Sequence, residues 1–281
     1  MRRLIAFTTI SVLLATAVAL ADGVGNGSIG YDASGGHYIG VKATAVGLPQ
    51  IGQTGTVGAS DLPSALRKYH DSGDYDLDLK TVGDRAKAYL QKRLADRSKP
   101  PRNCVTRYKR KRIKHQKRAL YVKVRKCKPF AQPTGKPAIV LDIDETALSN
   151  WNGISSSNFS GTGTVADAVA GTGTVIKPTL DLFNYAKANR VAVFFITGRP
   201  SVIQSQTEAN LKAAGYDGWA GLQFKPGDKT TVDYKAGARA DIEKQGYYIY
   251  ESVGDQESDL DGGHAEQGFK YPNPFYFIGD K

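Results

Sequence analysis

The chain has 281 residues, 41% hydrophobic and 10% aromatic, which is enough for one sizeable core with appendages and excludes a chain too polar to fold. Its formal charge of +11 is uneven, because thirteen Lys or Arg and no acid lie between Arg102 and Lys128. Setting those and Arg2 and Arg3 aside turns +11 into −4, so a mildly acidic body carries one basic element.

Residues 1–21 read as a secretory signal peptide. Arg2 and Arg3 precede an apolar run from Leu4 to Leu20, and Ala19-Leu20-Ala21 is a small-x-small cleavage site before Asp22. The rival is a retained anchor, but the run is short for a membrane span. No cysteine follows the site, which argues against lipidation there. Export predicts a secreted protein, extracellular or periplasmic, and it changes the reading of the only two cysteines. In an oxidising compartment Cys104 and Cys127 form a disulfide rather than a metal or redox site. Closing that loop would stabilise the fold by roughly 3–4 kcal/mol.

Residues 22–60 are Gly-rich and short of apolar periodicity, which predicts a flexible or irregular segment. Residues 61–101 read as a helical segment packing on the core, two helices broken at Ser72-Gly73, with Leu79, Val82, Ala86, Tyr89, Leu90 and Leu94 at helical spacing. Residues 102–131 form the basic element. Leu120, Val122 and Val124 alternate with Tyr121, Lys123 and Arg125 in a cysteine-clamped hairpin.

From 132 to 281 short apolar runs alternate with helical stretches. The runs are "AIVLDID", "VAVFFIT", "GLQF", "YYIYESV" and "PFYFIG". Such alternation predicts an α/β fold, a Rossmann-like doubly wound parallel sheet with the N-terminal helices and the hairpin appended. Ligands in such sheets bind beyond the carboxyl ends of the strands. There the first run delivers Asp142 and Asp144, the second Thr197-Gly198-Arg199, and the fourth Asp255 with Asp259 after it. Converging carboxylates are costly unless a cation neutralises them, and an oxygen-only set points to a hard ion such as Mg²⁺. One carboxylate can then attack phosphorus, while a second, two residues on along the same strand face, serves as acid and base.

The "DxDxT" order of "DIDETALSNW", with "FFITGRP", "YKAGARADIEKQGY", "GDQESDLDGG" and "FKYPNPFYFIGD", resembles the haloacid dehalogenase superfamily, and within it the secreted acid phosphatases that include bacterial four-aspartate enzymes and plant vegetative storage proteins. The resemblance begins near Asp61 and excludes the hairpin. It implies that Asp142 is the nucleophile and Asp144 the general acid and base. Asp142, the Asp144 backbone carbonyl and Asp255 would hold Mg²⁺, and Asp259 would hold metal-bound water. Thr197 and Gly198 would hold the phosphoryl group, and Lys235 would offset charge, with Lys225 and Lys229 near enough in sequence to compete. Arg199 either binds phosphate or makes a salt bridge. Trp151 either stacks on substrate or packs in the core, Glu257 and Asp261 read as solvated loop acids or caps, and His115 and His264 receive no role.

Two features depart from that family: the basic hairpin, where relatives have a short linker, and a leader without a lipidation cysteine. The hairpin at 102–128 is a candidate docking surface for a polyanion, whether nucleic acid, wall polymer or anionic lipid. The expected activity is Mg²⁺-dependent hydrolysis of small phosphate monoesters, nucleotides included, through an aspartyl-phosphate. A dehalogenase is the weaker rival, since that chemistry does not need Asp144. The other alternative is a catalytically weak storage or anion-binding protein. The stretch from Asn152 to Pro178 is Gly/Ser/Thr-rich and too small for a lid domain, which predicts an open site.

Overall fold

In the computed structural model the described residues are 62–97, 134–227 and 229–278, together with the backbones of four strands, 27–31, 37–41, 102–112 and 119–129. The leader reading at 1–21 lies outside them. In chain order the elements are β1 (Gly27–Tyr31), β2 (His37–Val41), α1 (Leu62–Asp71), α2 (Asp74–Arg97), β3 (Arg102–Arg112), β4 (Ala119–Pro129), β5 (Lys136–Leu141) and β6 (Leu148–Ser149). They continue with α3 (Trp151–Ser156), α4 (Gly161–Ala170), β7 (Thr174–Val175), α5 (Lys177–Ala188), β8 (Ala192–Thr197), α6 (Gln204–Ala213), β9 (Gly221–Phe224), α7 (Thr231–Lys244), β10 (Tyr247–Gly254) and β11 (Gln267–Lys270).

The main sheet runs β1-β2-β11-β10-β5-β8-β9. Strands β2, β11, β10, β5, β8 and β9 are mutually parallel, and β1 closes the edge antiparallel to β2. The central strand β5 is buried on both faces, which is why it reads as an unbroken apolar run. Ile139 and Leu141, with Val193 and Phe195 of β8, face a large cluster built from α1, α2, α5 and α6. Ala138 and Val140, with Phe194 and Ile196, face Tyr234, Ala238 and Ile242 of α7. The chain leaves β5 for β8 and β9 on one side and then returns to β10 and β11 on the other. That reversal opens a crevice at the carboxyl end of β5.

Two expectations need correction. The run "PFYFIG" is not a strand; the fifth strand that the 132–281 part gives to the main sheet is "QGFK", β11. Pro272 and Pro274 bracket Asn273, and a proline cannot donate to a sheet ladder, so the apolar tail is excluded from the sheet. The Gly-rich 22–60 stretch, expected to be irregular, contributes β1 and β2, the latter pairing along β11 with Phe269 opposite Ile39. Its glycines mask the period-two pattern, and the free edge of β11 supplies the partner.

The Asn152–Pro178 insertion folds into α3, α4 and β7. Helices α3 and α4 cross where Gly153 and Gly163 meet; a Cβ on either would run into the other's backbone, so the crossing needs two glycines. The hairpin is present as β3 and β4, which pair only with each other in a sheet of their own. Its register sets Cys104 opposite Cys127. No helix among the described residues is long and apolar enough to cross a membrane.

Candidate active site

Asp142 follows β5 directly, its amide donating to the Val253 carbonyl at 2.9 Å, so β10 fixes its backbone before its side chain acts. The chain then turns through Glu145, whose φ of 49° is left-handed, and the Glu145 amide donates to the Leu148 carbonyl at 2.8 Å. This tight turn holds Asp142 and Asp144 at the mouth of the sheet. Asp255 and Asp259 come from the turn after β10, Thr197 to Arg199 from the end of β8, and Lys235 from the first turns of α7.

Asp142, Asp255 and Asp259 are buried and each brings a carboxylate oxygen within 4.8 Å of the other two. Lys235 lies inside this group. Its Nζ donates to Asp142 Oδ1 at 2.8 Å and also to Asp259 Oδ1. The other Asp259 oxygen accepts the Gln256 amide at 2.8 Å, and Asp255 Oδ2 accepts from Gln256 Nε2 at 2.6 Å and Asn273 Nδ2 at 2.7 Å. Gly254 makes room for this, since a Cβ there would strike the Asp259 side chain.

Charge in this pocket is unbalanced, with three buried carboxylates against one buried ammonium. Burial first, then the Asp259 charge, pushes the Asp142 carboxyl well above its ordinary range, against the pull of Lys235. The same two causes push Asp255 up to about 6, against the bonds from Asn273 and Gln256. Burial lowers Lys235, but Asp142 and Asp259 outweigh it and hold the ammonium charged. Oxygen-only ligands, buried and over-negative, fit a hard divalent cation such as Mg²⁺, which would relieve the repulsion that protonation otherwise has to relieve.

Asp144 stands apart from that triad. Arg199 grips it, Nη2 to Oδ1 at 2.7 Å and Nε to both oxygens at 3.2 Å, while Arg199 Nη1 reaches Thr207 Oγ1 at 3.2 Å. Asn150 Nδ2 adds a third bond to Asp144 Oδ1 at 2.8 Å. Burial raises this carboxyl, but Arg199 and Asn150 together win and hold it below the usual carboxylate range. Of the two readings for Arg199, the salt bridge is the one present. Thr197 is fully buried and its Oγ1 accepts the Arg199 amide at 3.1 Å. Gly198 has open space where a side chain would be.

The competing lysines separate clearly. Lys235 touches Asp142, Lys225 lines the mouth of the crevice, and Lys229 is exposed. Trp151 is packed, its ring stacked on His70 at 3.7 Å and tilted against Phe275 at 5.1 Å. His264 pairs with Glu243 at 2.6 Å. The Asp261 carbonyl accepts from Arg239, and His115 lies outside the described residues.

Sequence reasoning missed the supports. Glu145, buried and pushed up to about 8 by burial and the Asp144 charge, accepts from the Asn150 amide at 2.6 Å and from Tyr276 Oη at 2.5 Å. Tyr276 thereby ties the C-terminal tail to the loop that carries the two aspartates. Asn150, Gln256 and Asn273 have no spacing that marks them; the only sign was polar residues inside otherwise apolar or turn-forming motifs.

The fold and this cluster define an α/β protein with a carboxylate-rich crevice at the carboxyl ends of its parallel strands. The family model for the HAD superfamily, subfamily IIIB (acid phosphatase), matches residues 91–279, and the chain belongs to that family. It is 38% identical over 154 residues to the stem 28 kDa glycoprotein of Glycine max, covering 51% of this chain and 61% of that one. Against acid phosphatase 1 of Solanum lycopersicum the identity is 33% over 155 residues, covering 51% and 60%. Vegetative storage protein 1 of Arabidopsis thaliana is 32% identical over 147 residues, 50% and 54%. The chain thus spans little more than half the length of these relatives. Among solved structures, the Class C acid phosphatase from Bacillus anthracis with tungstate bound superposes with a TM-score of 0.53 over 79% of this chain and 87% of that one. At 17% identity, that likeness is one of fold.

Proposed function

We propose that the protein is a secreted, Mg²⁺-dependent acid phosphatase that hydrolyses phosphate monoesters through an aspartyl-phosphate. The observation that carries this reading is the separation of two carboxylates two residues apart. Asp142 sits in the buried triad with Lys235, and Asp144 sits in an arginine clamp beside it. One is prepared to stay bound while it reacts, the other to exchange a proton.

Asp142, Asp255 and the Asp144 carbonyl would hold the cation, with Asp259 holding its water. The cation would supply charge neutralisation for the phosphoryl oxygens and the nucleophile. Lys235 keeps Asp142 Oδ1 fixed, leaving the second carboxylate oxygen to attack phosphorus in line with the ester oxygen. The departing alcohol oxygen takes a proton from Asp144. In the second half, Asp144 takes a proton from the water that attacks the phosphoryl group, and Asp142 is released. Thr197, its hydroxyl hydrogen not needed by Arg199, and Gly198, without a side chain, would hold the phosphoryl oxygens. A general acid held low by Arg199 carries its proton only in acid solution, which suits acid operation.

The relatives named as storage proteins support a second reading, a fold kept for storage with little turnover. The intact Asp142 and Asp144 speak for the enzyme. Phosphate release from p-nitrophenyl phosphate, measured with Mg²⁺, with chelator and with Asp142→Asn, decides between them. Metal-dependent release lost in the variant supports the enzyme, and no release from folded, metal-loaded protein supports storage. The strand register that sets Cys104 opposite Cys127 is compatible with the proposed disulfide.

A further inference from the structure

The catalytic crevice has a volume of about 500 Å³, more than the phosphoryl group alone requires. Six large apolar side chains stand out among the described residues, and all but Leu77 line this one mouth. They are Val202 at 82% exposure, Val165 at 61%, Val169 at 49%, Ile278 at 43% and Phe277 at 36%. Three separate stretches contribute them: α4 of the insertion, the turn after β8, and the C-terminal tail. Apolar side chains gathered in one exposed place mark a surface that something covers.

The floor of the crevice says what covers it. With Asp142 and Asp144 at the floor, the alcohol part of an ester extends toward the mouth, where the most exposed side chains are apolar. A sugar or other polyol there would set most of its hydroxyls against valine, isoleucine and phenylalanine, with Thr164, Lys225 and Thr231 as polar neighbours at the mouth, which is less favourable than covering the collar with an alkyl chain. An alkyl chain would cover the rim and be covered by it. We propose that the preferred substrates are monoesters of apolar alcohols, alkyl phosphates foremost, with Val165, Val169, Val202, Phe277 and Ile278 as the collar that selects them. This rests on the phosphomonoesterase reading.

The test is a series of ethyl, butyl and hexyl phosphate with glycerol phosphate and a nucleoside monophosphate beside it, all below micelle concentrations. Aryl esters are left out, because their better leaving group raises the rate whatever the collar does. A fully covered methylene is worth about fourfold, so a half-open rim gives about twofold each and about 15-fold in kcat/KM from ethyl to hexyl. In Val165→Ser/Val202→Ser the hexyl-to-ethyl ratio falls to within about threefold. Calorimetry of hexylphosphonate against methylphosphonate, which cannot be hydrolysed, gives the same ordering without turnover. A flat series, or glycerol phosphate or the nucleotide favoured over hexyl phosphate, overturns the collar while leaving the phosphatase intact. Failure to hydrolyse any ester overturns both.

Discussion

Glu251 lies at the centre of β10 with no exposure, and neither of its carboxyl oxygens has a hydrogen-bond partner among the described residues. Tyr89 of α2 and Tyr271 feel its charge, and no cation pairs with it among the described residues. Burial alone therefore pushes this carboxyl well above its ordinary range, and the folded protein carries it as the neutral acid. The sign follows directly. Below the unfolded pKa of about 4.3 both states hold the proton and nothing is lost. Above it the unfolded chain releases the proton, and the folded state loses about 1.4 kcal/mol for every pH unit until its own raised pKa is reached. Replacing Glu251 by Met keeps the volume and abolishes that loss. Between pH 4.5 and 6.5, while the folded carboxyl stays neutral, the advantage of Glu251→Met over the native protein should grow by about 2.4 kcal/mol. In a domain of this size that is about 5–10 °C of melting temperature. Differential scanning calorimetry of both proteins at half-unit steps of pH is the assay. Two melting curves that stay parallel over this range would refute the reasoning, since they would mean that Glu251 titrates alike in the folded and the unfolded chain.

Removing Lys235 as Lys235→Met leaves three buried carboxylates together, with an expected loss of about 3–5 kcal/mol in cation-free denaturant titrations. Added Mg²⁺ should recover more stability in this variant than in the native protein. Gly254→Ala sets a Cβ against the Asp259 Cβ and drives its carboxylate off Lys235, so the melting temperature should drop and phosphate release by the protein that stays folded should fall by at least about tenfold; unchanged kinetics would mean that Asp259 has no part in the site. Intact mass measured with and without reductant should show the Cys104–Cys127 pair two hydrogens lighter before reduction. The basic hairpin should hold the protein on a heparin column in a salt-dependent way, with retention lost when the β4 lysines are neutralised.

Much of the catalytic part was legible because its central strands are buried on both faces and need no pattern finer than an apolar run. The acids at the end of β5 stood out because a carboxylate is the last thing a buried strand delivers without a reason. What escaped was set by partners distant in sequence. β11 contains one large apolar residue, Phe269, and is a strand because β10 and β2 supply ladders on both sides. The final apolar run reads as a strand by hydrophobicity alone, but Pro272 and Pro274 block its ladder. Sequence cannot choose between the two roles of Arg199, since nothing along the chain says that it lies within reach of Asp144, 55 residues earlier. Asn150, Asn273 and Tyr276 were invisible for the same reason: each matters through a single distant contact.

The hairpin β3–β4 enters between α2 and β5 and pairs with no strand of the main sheet. Lengthening, shortening or recharging it leaves the order and register of the seven strands untouched. The proposed docking surface and the proposed catalytic site thus lie on separate stretches of the chain, so a change in the one need not move the other.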